Sequence, residues 1–374
     1  MNAGAWLELA LRPAAGPGTV KAMVRELGSP AAVAGADIPT LMEAGLSRRR
    51  AQRFVEPVPL ELRQRTEAWL ERSDHLVVTP ADDTYPPALR QIADPPLALF
   101  VLGDPDYLAW PGVAVVGSRR PSPSGRELAE ELGRELARAG LVVVSGLALG
   151  TDGAAHRGAV AAGGPTVGVL GCGPDRIYPR RNVELAEAVA GAGAVITEFP
   201  PGTGVARGHF PRRNRIIAGM TLGTTVVEAA TRSGSLITAR LAAEAGREVL
   251  AVPGPVRSPT SRGCHRLIRE GARLVEGVED ILEEVAPGVA AARPATGPAE
   301  ATRADEAEPE GLEPEARKLL GCLGFEPESV DNLVERSGLT ADTVSAMLIR
   351  LELQGVVESA PGGRFSRVAT GARP

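Results

Sequence analysis

Apolar positions along this chain follow two rhythms, and the change between them divides it. Trp6-Leu-Glu-Leu-Ala-Leu11, Val20-Lys-Ala-Met-Val-Arg-Glu-Leu27 and Ile38-Pro-Thr-Leu-Met-Glu-Ala-Gly-Leu46 repeat apolar residues every three or four positions. That is the spacing of amphipathic helices, and it predicts a small helical domain over 1–74, of SAM-like or helix-hairpin-helix-like type. The turn Ala15-Gly-Pro-Gly-Thr19 fits two readings. It is either a hairpin whose backbone N–H groups approach phosphate or a tight turn inside a protein-interaction domain.

Helical spacing gives way near Ser73 and Asp74 to the strand-like His75-Leu-Val-Val-Thr79. From about 110 to 286 short β-branched runs dominate: Val113–Val116, Leu141–Val144, Thr166–Leu170, Ala194–Thr197, Thr224–Val227 and Glu248–Val252. Helical stretches separate them, over Gly125–Ala139, Gly153–Ala162, Asn182–Ala190 and Ser235–Ala245. Continuous apolar strands joined by helices signal a parallel sheet covered on both faces. The expected fold class is therefore α/β, with an extended Rossmann-like, doubly wound parallel sheet over 75–286.

Residues 287–311 mix Pro, Ala and Glu without large apolar side chains, which predicts a disordered linker. Beyond it, Glu313–Leu323, Ser329–Ser337 and Thr340–Gly355 read as three short helices, with Thr340 and Asp342 capping the third. A hairpin follows over Val356–Val368, turning at Gly362 and Gly363. Three helices and a hairpin predict a winged-helix domain over 312–374. Its third helix offers Arg350 against Asp342 and Glu352, which favours protein interaction over DNA reading.

Charge sharpens this division. The chain carries −5 overall, distributed as −3 over 1–109, +3 over 110–286 and −5 over 287–374. Phosphate binding depends on local charge, so the middle segment is the candidate. All but two of the 41 basic residues are arginines, partly a coding bias, so arginine number alone carries no argument. Cys172, Cys264 and Cys322 are far apart, which indicates neither a disulfide framework nor a zinc site. No run reaches the roughly 18 apolar residues of a spanning helix, and no secretory pattern opens the chain, which reads as cytoplasmic.

In an open parallel sheet ligands sit beyond the carboxyl ends of the strands. The first core strand exits into Gly117-Ser-Arg-Arg-Pro-Ser-Pro-Ser-Gly125, where a glycine, a hydroxyl and a guanidinium precede a helix. This suits phosphate without the Gly-x-Gly-x-x-Gly spacing of dinucleotide enzymes. The third exits into Gly171-Cys-Gly-Pro-Asp-Arg-Ile-Tyr-Pro-Arg-Arg-Asn182, where Tyr178 offers a stacking face among Arg176, Arg180 and Arg181. Phe210-Pro-Arg-Arg-Asn-Arg-Ile216 is the densest basic feature and is expected just before a helix. Its arginines cannot all face one way, so at least one is expected to brace the fold through Glu198 or Glu228.

Catalytic patterns are weak: His75, His156, His209 and His265 show no ligand spacing, and Ser118 has no neighbouring base. Asp152 and His156 read as a cap and a packed imidazole rather than a catalytic pair. No enzyme activity, metal or cofactor is expected.

Together these motifs resemble the DNA-processing protein A family (DprA or Smf) of bacterial natural transformation. The resemblance runs through Asp83-Thr-Tyr-Pro-Pro-Ala-Leu89, Val116-Gly-Ser-Arg119, Ser145–His156, Leu170–Pro179, Ile196-Thr-Glu-Phe-Pro200, Phe210–Gly219 and Gly246–Gly254. It implies sequence-independent binding of incoming single-stranded DNA and a homodimer formed through the Rossmann-like domain. It also implies displacement of single-strand-binding protein and loading of the RecA recombinase. Carried onto this chain, the strand pocket uses Gly117, Ser118 and Arg119, then Gly171, Gly173, Arg176, Tyr178, Arg180 and Asn182, then Arg212, Arg213, Asn214 and Arg215. The sequence departs from the family where arginine stands for the usual pocket lysine and where Gly263-Cys-His265 replaces an expected Gly-x-Asn. The rival reading is a nucleotide phosphoribohydrolase of the same fold. Its Pro-Gly-Gly-x-Gly-Thr loop is missing from Val227-Glu-Ala-Ala-Thr-Arg-Ser-Gly-Ser235. A third reading is a scaffold for which DNA contact is incidental.

Overall fold

The computed structural model describes residues 2–288, 314–323 and 327–367. Apart from its first two residues, the expected linker over 287–311 lies outside them. Six helices open the chain: α1 (Asn2–Leu11), α2 (Pro17–Leu27), α3 (Pro30–Gly35), α4 (Ile38–Glu43), α5 (Arg48–Phe54) and α6 (Leu60–Leu70). Leu9, Val20, Val33, Leu41, Ala51 and Phe54 close their core. They share one compact unit with the sheet that follows.

That sheet has nine strands: β1 (His75–Val78), β2 (Leu99–Gly103), β3 (Gly112–Val116), β4 (Val142–Ser145), β5 (Thr166–Val169), β6 (Ala194–Thr197), β7 (Gly223–Val226), β8 (Glu248–Ala251) and β9 (Arg273–Leu274). Their order is β1-β2-β6-β5-β4-β3-β7-β8-β9. The strands from β3 to β9 are parallel, whereas β1 and β2 run antiparallel at one edge. The helices between and after them are α7 (Pro123–Arg138), α8 (Thr151–Ala161), α9 (Val183–Ala192), α10 (His209–Gly219), α11 (Ser235–Glu244), α12 (Arg262–Arg269) and α13 (Val278–Val285).

The period-two alternation of strand β3 explains the double winding. Val113 and Val115 pack with Leu132, Leu136, Ala154 and Ile281 on one face. Ala114 and Val116 pack with Ile216, Ile217, Met220 and Ala239 on the other. The chain leaves β3 toward β4, β5 and β6, then returns to place β7 on its opposite side. The topological switch therefore lies between β3 and β7, and a crevice opens beyond their carboxyl ends.

The C-terminal unit contains α14 (Pro314–Cys322), α15 (Val330–Ser337) and α16 (Ala341–Leu353), with β10 (Glu328–Ser329), β11 (Val357–Ala360) and β12 (Arg364–Arg367). The strands pair in the order β10-β12-β11, which completes a winged helix. Leu319, Leu333, Val344, Leu348 and Leu351 form its core. Thr340 caps α16 by accepting from the Thr343 N–H, while Asp342 lies inside the first turn.

Candidate nucleic-acid interface

Loops leaving the carboxyl ends of β3, β5, β6 and β7 meet around the switch point. Gly117 begins the β3 exit, and a Cβ there would lie 2.6 Å from the Thr151 hydroxyl. Only glycine allows this loop to rest on the start of α8, which carries Ser118 and Arg119 out over the crevice. The Ser118 Oγ accepts from the Arg120 N–H at 3.0 Å and holds the turn. Arg119 is exposed, with its guanidinium 5.5 Å from the centre of the Phe210 ring. Tyr178, also exposed, stands 6.0 Å from the same ring. One cation and two aromatic faces are thus gathered from two loops and the first turn of α10.

Gly171 and Gly173 are buried beneath this cluster. A Cβ at 171 would press on the Phe210 ring at 3.1 Å. The Cys172 thiol donates to the Arg176 carbonyl at 3.0 Å, tying down the basic loop, and burial pushes its pKa up to about 11. Arg176 and Arg180 extend into solvent from this loop. Arg119, Arg176, Arg180, Arg181, Arg207 and Arg232 make no ion pair among the described residues.

The Phe210–Ile216 segment departs from expectation. It lies inside α10, which starts at His209, rather than ahead of it. Arg213 is therefore turned inward on the face shared with Ile216, Ile217 and Met220, and is 5% exposed. Its guanidinium donates to the carbonyls of Gly146 and Val169 and to Asn214 Oδ1. Burial lowers its pKa, an effect offset by the nearby Asp152 carboxylate. Arg213 thus braces the fold through carbonyls, while the expected brace through Glu198 is made by its neighbours Arg212 and Arg215.

Glu198 receives Arg212 at 3.0 Å and Arg215, through a carboxylate that is almost wholly buried. Arg212 remains half exposed, but Arg215 is mostly buried and also donates to the Asp94 carbonyl at 2.5 Å. Asn182 is a second inward residue, donating its amide to the Leu147 and Ala148 carbonyls at 2.8 and 3.1 Å. Of the sequence-predicted site residues, the structure brings Ser118, Arg119, Arg176, Tyr178, Arg180 and Arg212 to the accessible edge. It commits Asn182, Arg213 and Arg215 to internal contacts.

Asp152 accepts the Gly146 and Ala148 N–H groups through Oδ2, and burial raises its pKa. His156 contacts the Thr166 hydroxyl at 2.8 Å, and burial takes its pKa down to about 3. The imidazole is packed as expected, whereas Asp152 is not a cap: it is the second residue of α8, whose N-cap is Gly150, and it holds the loop that precedes the helix. Gly18, in the turn weighed for phosphate approach, donates its N–H to the Asp94 carboxylate at 2.7 Å. Among the described residues no group of three or more His, Cys, Asp and Glu side chains could hold a metal. No described helix is long and apolar enough to cross a membrane.

A residue that sequence reasoning passed over is Arg232, which lines the crevice together with Ser233 and Ser235 from the loop after β7. The signal was present, because that loop leaves a core strand as the others do.

A family model described as DNA recombination-mediator protein A matches residues 76–286, and one described as DprA winged helix domain matches 301–363. Protein Smf of Escherichia coli (strain K12) is 40% identical over 330 residues, covering 87% of this chain and 86% of that protein. The X-ray structure of DNA processing protein A from Streptococcus pneumoniae superposes with a TM-score of 0.66 at 36% identity, covering 75% of this chain and 98% of that one. A structure concerning the single-stranded DNA binding mode of DNA processing protein A from Helicobacter pylori gives a TM-score of 0.51 at 29% identity, covering 56% of this chain and 94% of that one.

Proposed function

We propose, from the premise that the chain belongs to the DNA recombination-mediator protein A family, that it binds single-stranded DNA along the carboxyl edge of its sheet, without sequence preference. The observation that carries this reading is a set of guanidiniums without ion pairs: Arg119 over the Phe210 ring, Arg176 and Arg180 on the segment that carries the exposed Tyr178, and Arg232 in the lining of the same crevice. Free guanidiniums track a phosphate backbone, and aromatic faces stack on any base. Neither contact reads sequence, which suits a protein that must accept whatever strand arrives. Ser118 and the half-exposed Arg212 add polar contacts at the rim, while Gly171 and Gly173 shape the loop beneath.

On this reading the protein acts in the cytoplasm as a recombination mediator rather than an enzyme. It protects incoming strands in natural transformation, displaces single-strand-binding protein and loads RecA, as a homodimer formed through the sheet domain. The helical region over 1–74 and the winged helix over 312–374 flank the DNA-binding domain over 75–286. The H. pylori structure supports the ligand class, since it concerns single-stranded DNA binding by a relative. Fluorescence anisotropy of labelled oligo-dT against salt concentration tests the proposal. The expected result is an affinity that falls steeply as salt rises; an affinity that is absent or indifferent to salt removes it.

A further inference from the structure

Helix α5 departs from the charge pattern of the other helices. Across residues 44–55 the chain has four arginines and no acidic residue. Ala51 and Phe54 turn into the helical core, which leaves Arg48, Arg49, Arg50 and Arg53 exposed on the outer face. Arginines on other helices stand beside a carboxylate one turn away, as Arg65 does with Glu61, Arg134 with Glu130 and Arg240 with Glu244. Among the described residues Arg48, Arg49 and Arg53 have no ion pair or hydrogen bond, and Arg50 reaches only the Thr19 hydroxyl, at 3.2 Å. Arg49 and Arg53, four residues apart on one face, repel each other and disfavour the helix unless an anion lies between them.

This face is fixed to the rest of the molecule. The Arg50–Thr19 contact ties α5 to the first turn of α2, where the Gly18 N–H donates to Asp94 at 2.7 Å. Asp94 pairs with Arg215, which shares Glu198 with Arg212 at the carboxyl edge of the sheet. A continuous set of polar contacts therefore joins α5 to that edge within one compact unit. Because the Asp94 carboxylate occupies the amide of the turn, an anion arriving here meets the side chains of α5 and not the backbone of the hairpin.

Met42 and Leu60 are the large apolar side chains exposed among the described residues of 2–74, and neither carries a ring. A single strand is held by aromatic faces as well as cations, whereas a duplex keeps its bases stacked and offers mainly phosphates. Free guanidinium forks match those oxygens. We propose that the arginine face of α5 binds the backbone of a DNA duplex, through Arg49 and Arg53 with Arg48 beside them. In one consequence, which rests on the single-strand reading as well, a duplex with a single-stranded tail is gripped at two places at once.

Anisotropy of the full-length protein with a labelled blunt duplex of about 20 base pairs, recorded with unlabelled oligo-dT in saturating excess, tests the proposal. The duplex is expected to bind despite the oligo-dT, with an affinity that falls as salt rises. Arg49→Ala with Arg53→Ala is expected to flatten the slope of log K against log salt by about 1.8, the value of two phosphate contacts to B-DNA, and to leave labelled oligo-dT unaffected. Arg49→Lys with Arg53→Lys, which keeps both charges, should retain the wild-type slope. Arg72→Ala with Arg138→Ala, an equal charge change at exposed arginines paired with Asp74 and Glu135, should alter neither ligand. Absence of duplex binding, displacement of the duplex by oligo-dT, or equal flattening by the Arg72 and Arg138 pair overturns the proposal. So does a weakening of oligo-dT by the Arg49 and Arg53 pair, which would put a single strand on α5. Duplex binding through α5 that persists where oligo-dT fails to bind would sink the single-strand reading and leave the α5 contact standing.

Discussion

The Arg213 guanidinium lies against Gly146, donating to its carbonyl at 2.6 Å from within the space that a Cβ at 146 would occupy. A cation from helix α10 thus stitches the β4 exit to the β5 carbonyl of Val169, beside the buried Asp152. Removing it leaves a carboxylate buried without its compensating charge. Arg213→Leu is expected to destabilise the protein by about 3–5 kcal/mol in urea unfolding. Gly146→Ala, which forces the guanidinium aside, is expected to cost about 1–3 kcal/mol. Midpoints indistinguishable from wild type would mean that this contact contributes nothing to the fold.

Arg119 and Arg215 should separate into different classes of effect. Arg119 is exposed and forms no ion pair, so Arg119→Ala is expected to leave stability unchanged. It should flatten the dependence of log K on log salt for oligo-dT by about 0.7, the value of one phosphate contact to a single strand. Arg215 is spent on the buried Glu198 carboxylate. Arg215→Ala is expected to lower stability by about 3 kcal/mol while leaving that slope intact wherever the protein remains folded. A stable Arg215→Ala protein with a flattened slope would make Arg215 a direct phosphate contact.

The difference between these arginines shows what was legible in the sequence. The β-branched runs located the core strands to within a residue or two, because a strand buried on both faces is written as a continuous apolar segment. Leu99–Gly103 escaped notice because it forms an antiparallel edge pair outside the regular alternation of strand and helix. Arg213 was misplaced for a geometric reason. With α10 assumed to begin after the arginines, nothing in the spacing showed which of the three would turn inward. With α10 beginning at His209, Arg213 falls on the buried stripe of Ile216, Ile217 and Met220. Glu198 was legible as a partner of this cluster, whereas Asp94 lies 121 residues from Arg215 and only the folded chain brings the two together.

Acid should destabilise the protein through His156. Burial holds this imidazole neutral, with a pKa near 3 against an ordinary value of 6.5. Below about pH 6.5 the unfolded chain takes up a proton that the folded one refuses, so stability falls as pH falls, by about 1.4 kcal/mol per unit until the folded group titrates. Asp152, whose pKa is raised by burial, works in the opposite sense and partly masks the effect. Comparing wild type with His156→Gln cancels that contribution. Between pH 6.5 and 5 the wild type is expected to lose about 2 kcal/mol more than the variant in urea unfolding. Equal losses would show that the imidazole charges within the fold.

The winged helix should contribute little to strand affinity, although its fold is one that often reads DNA. Helix α16 presents Ile349 and Leu353 to solvent, 57% and 85% exposed, where a phosphate-reading helix would carry cations. Its only basic residue, Arg350, shares the helix with Asp342 and Glu352, and residues 312–374 carry nine acidic against seven basic side chains, a net charge of −2. An acidic module with an apolar helix face repels a polyanion and suits a protein surface. Deleting residues 312–374 is therefore expected to change oligo-dT affinity less than about threefold in anisotropy titrations at moderate salt. A loss beyond about tenfold would place DNA contacts on the winged helix itself. The substitutions Ile349→Asp and Leu353→Asp should leave DNA binding equally untouched, because the apolar pair they remove has no role in holding phosphate.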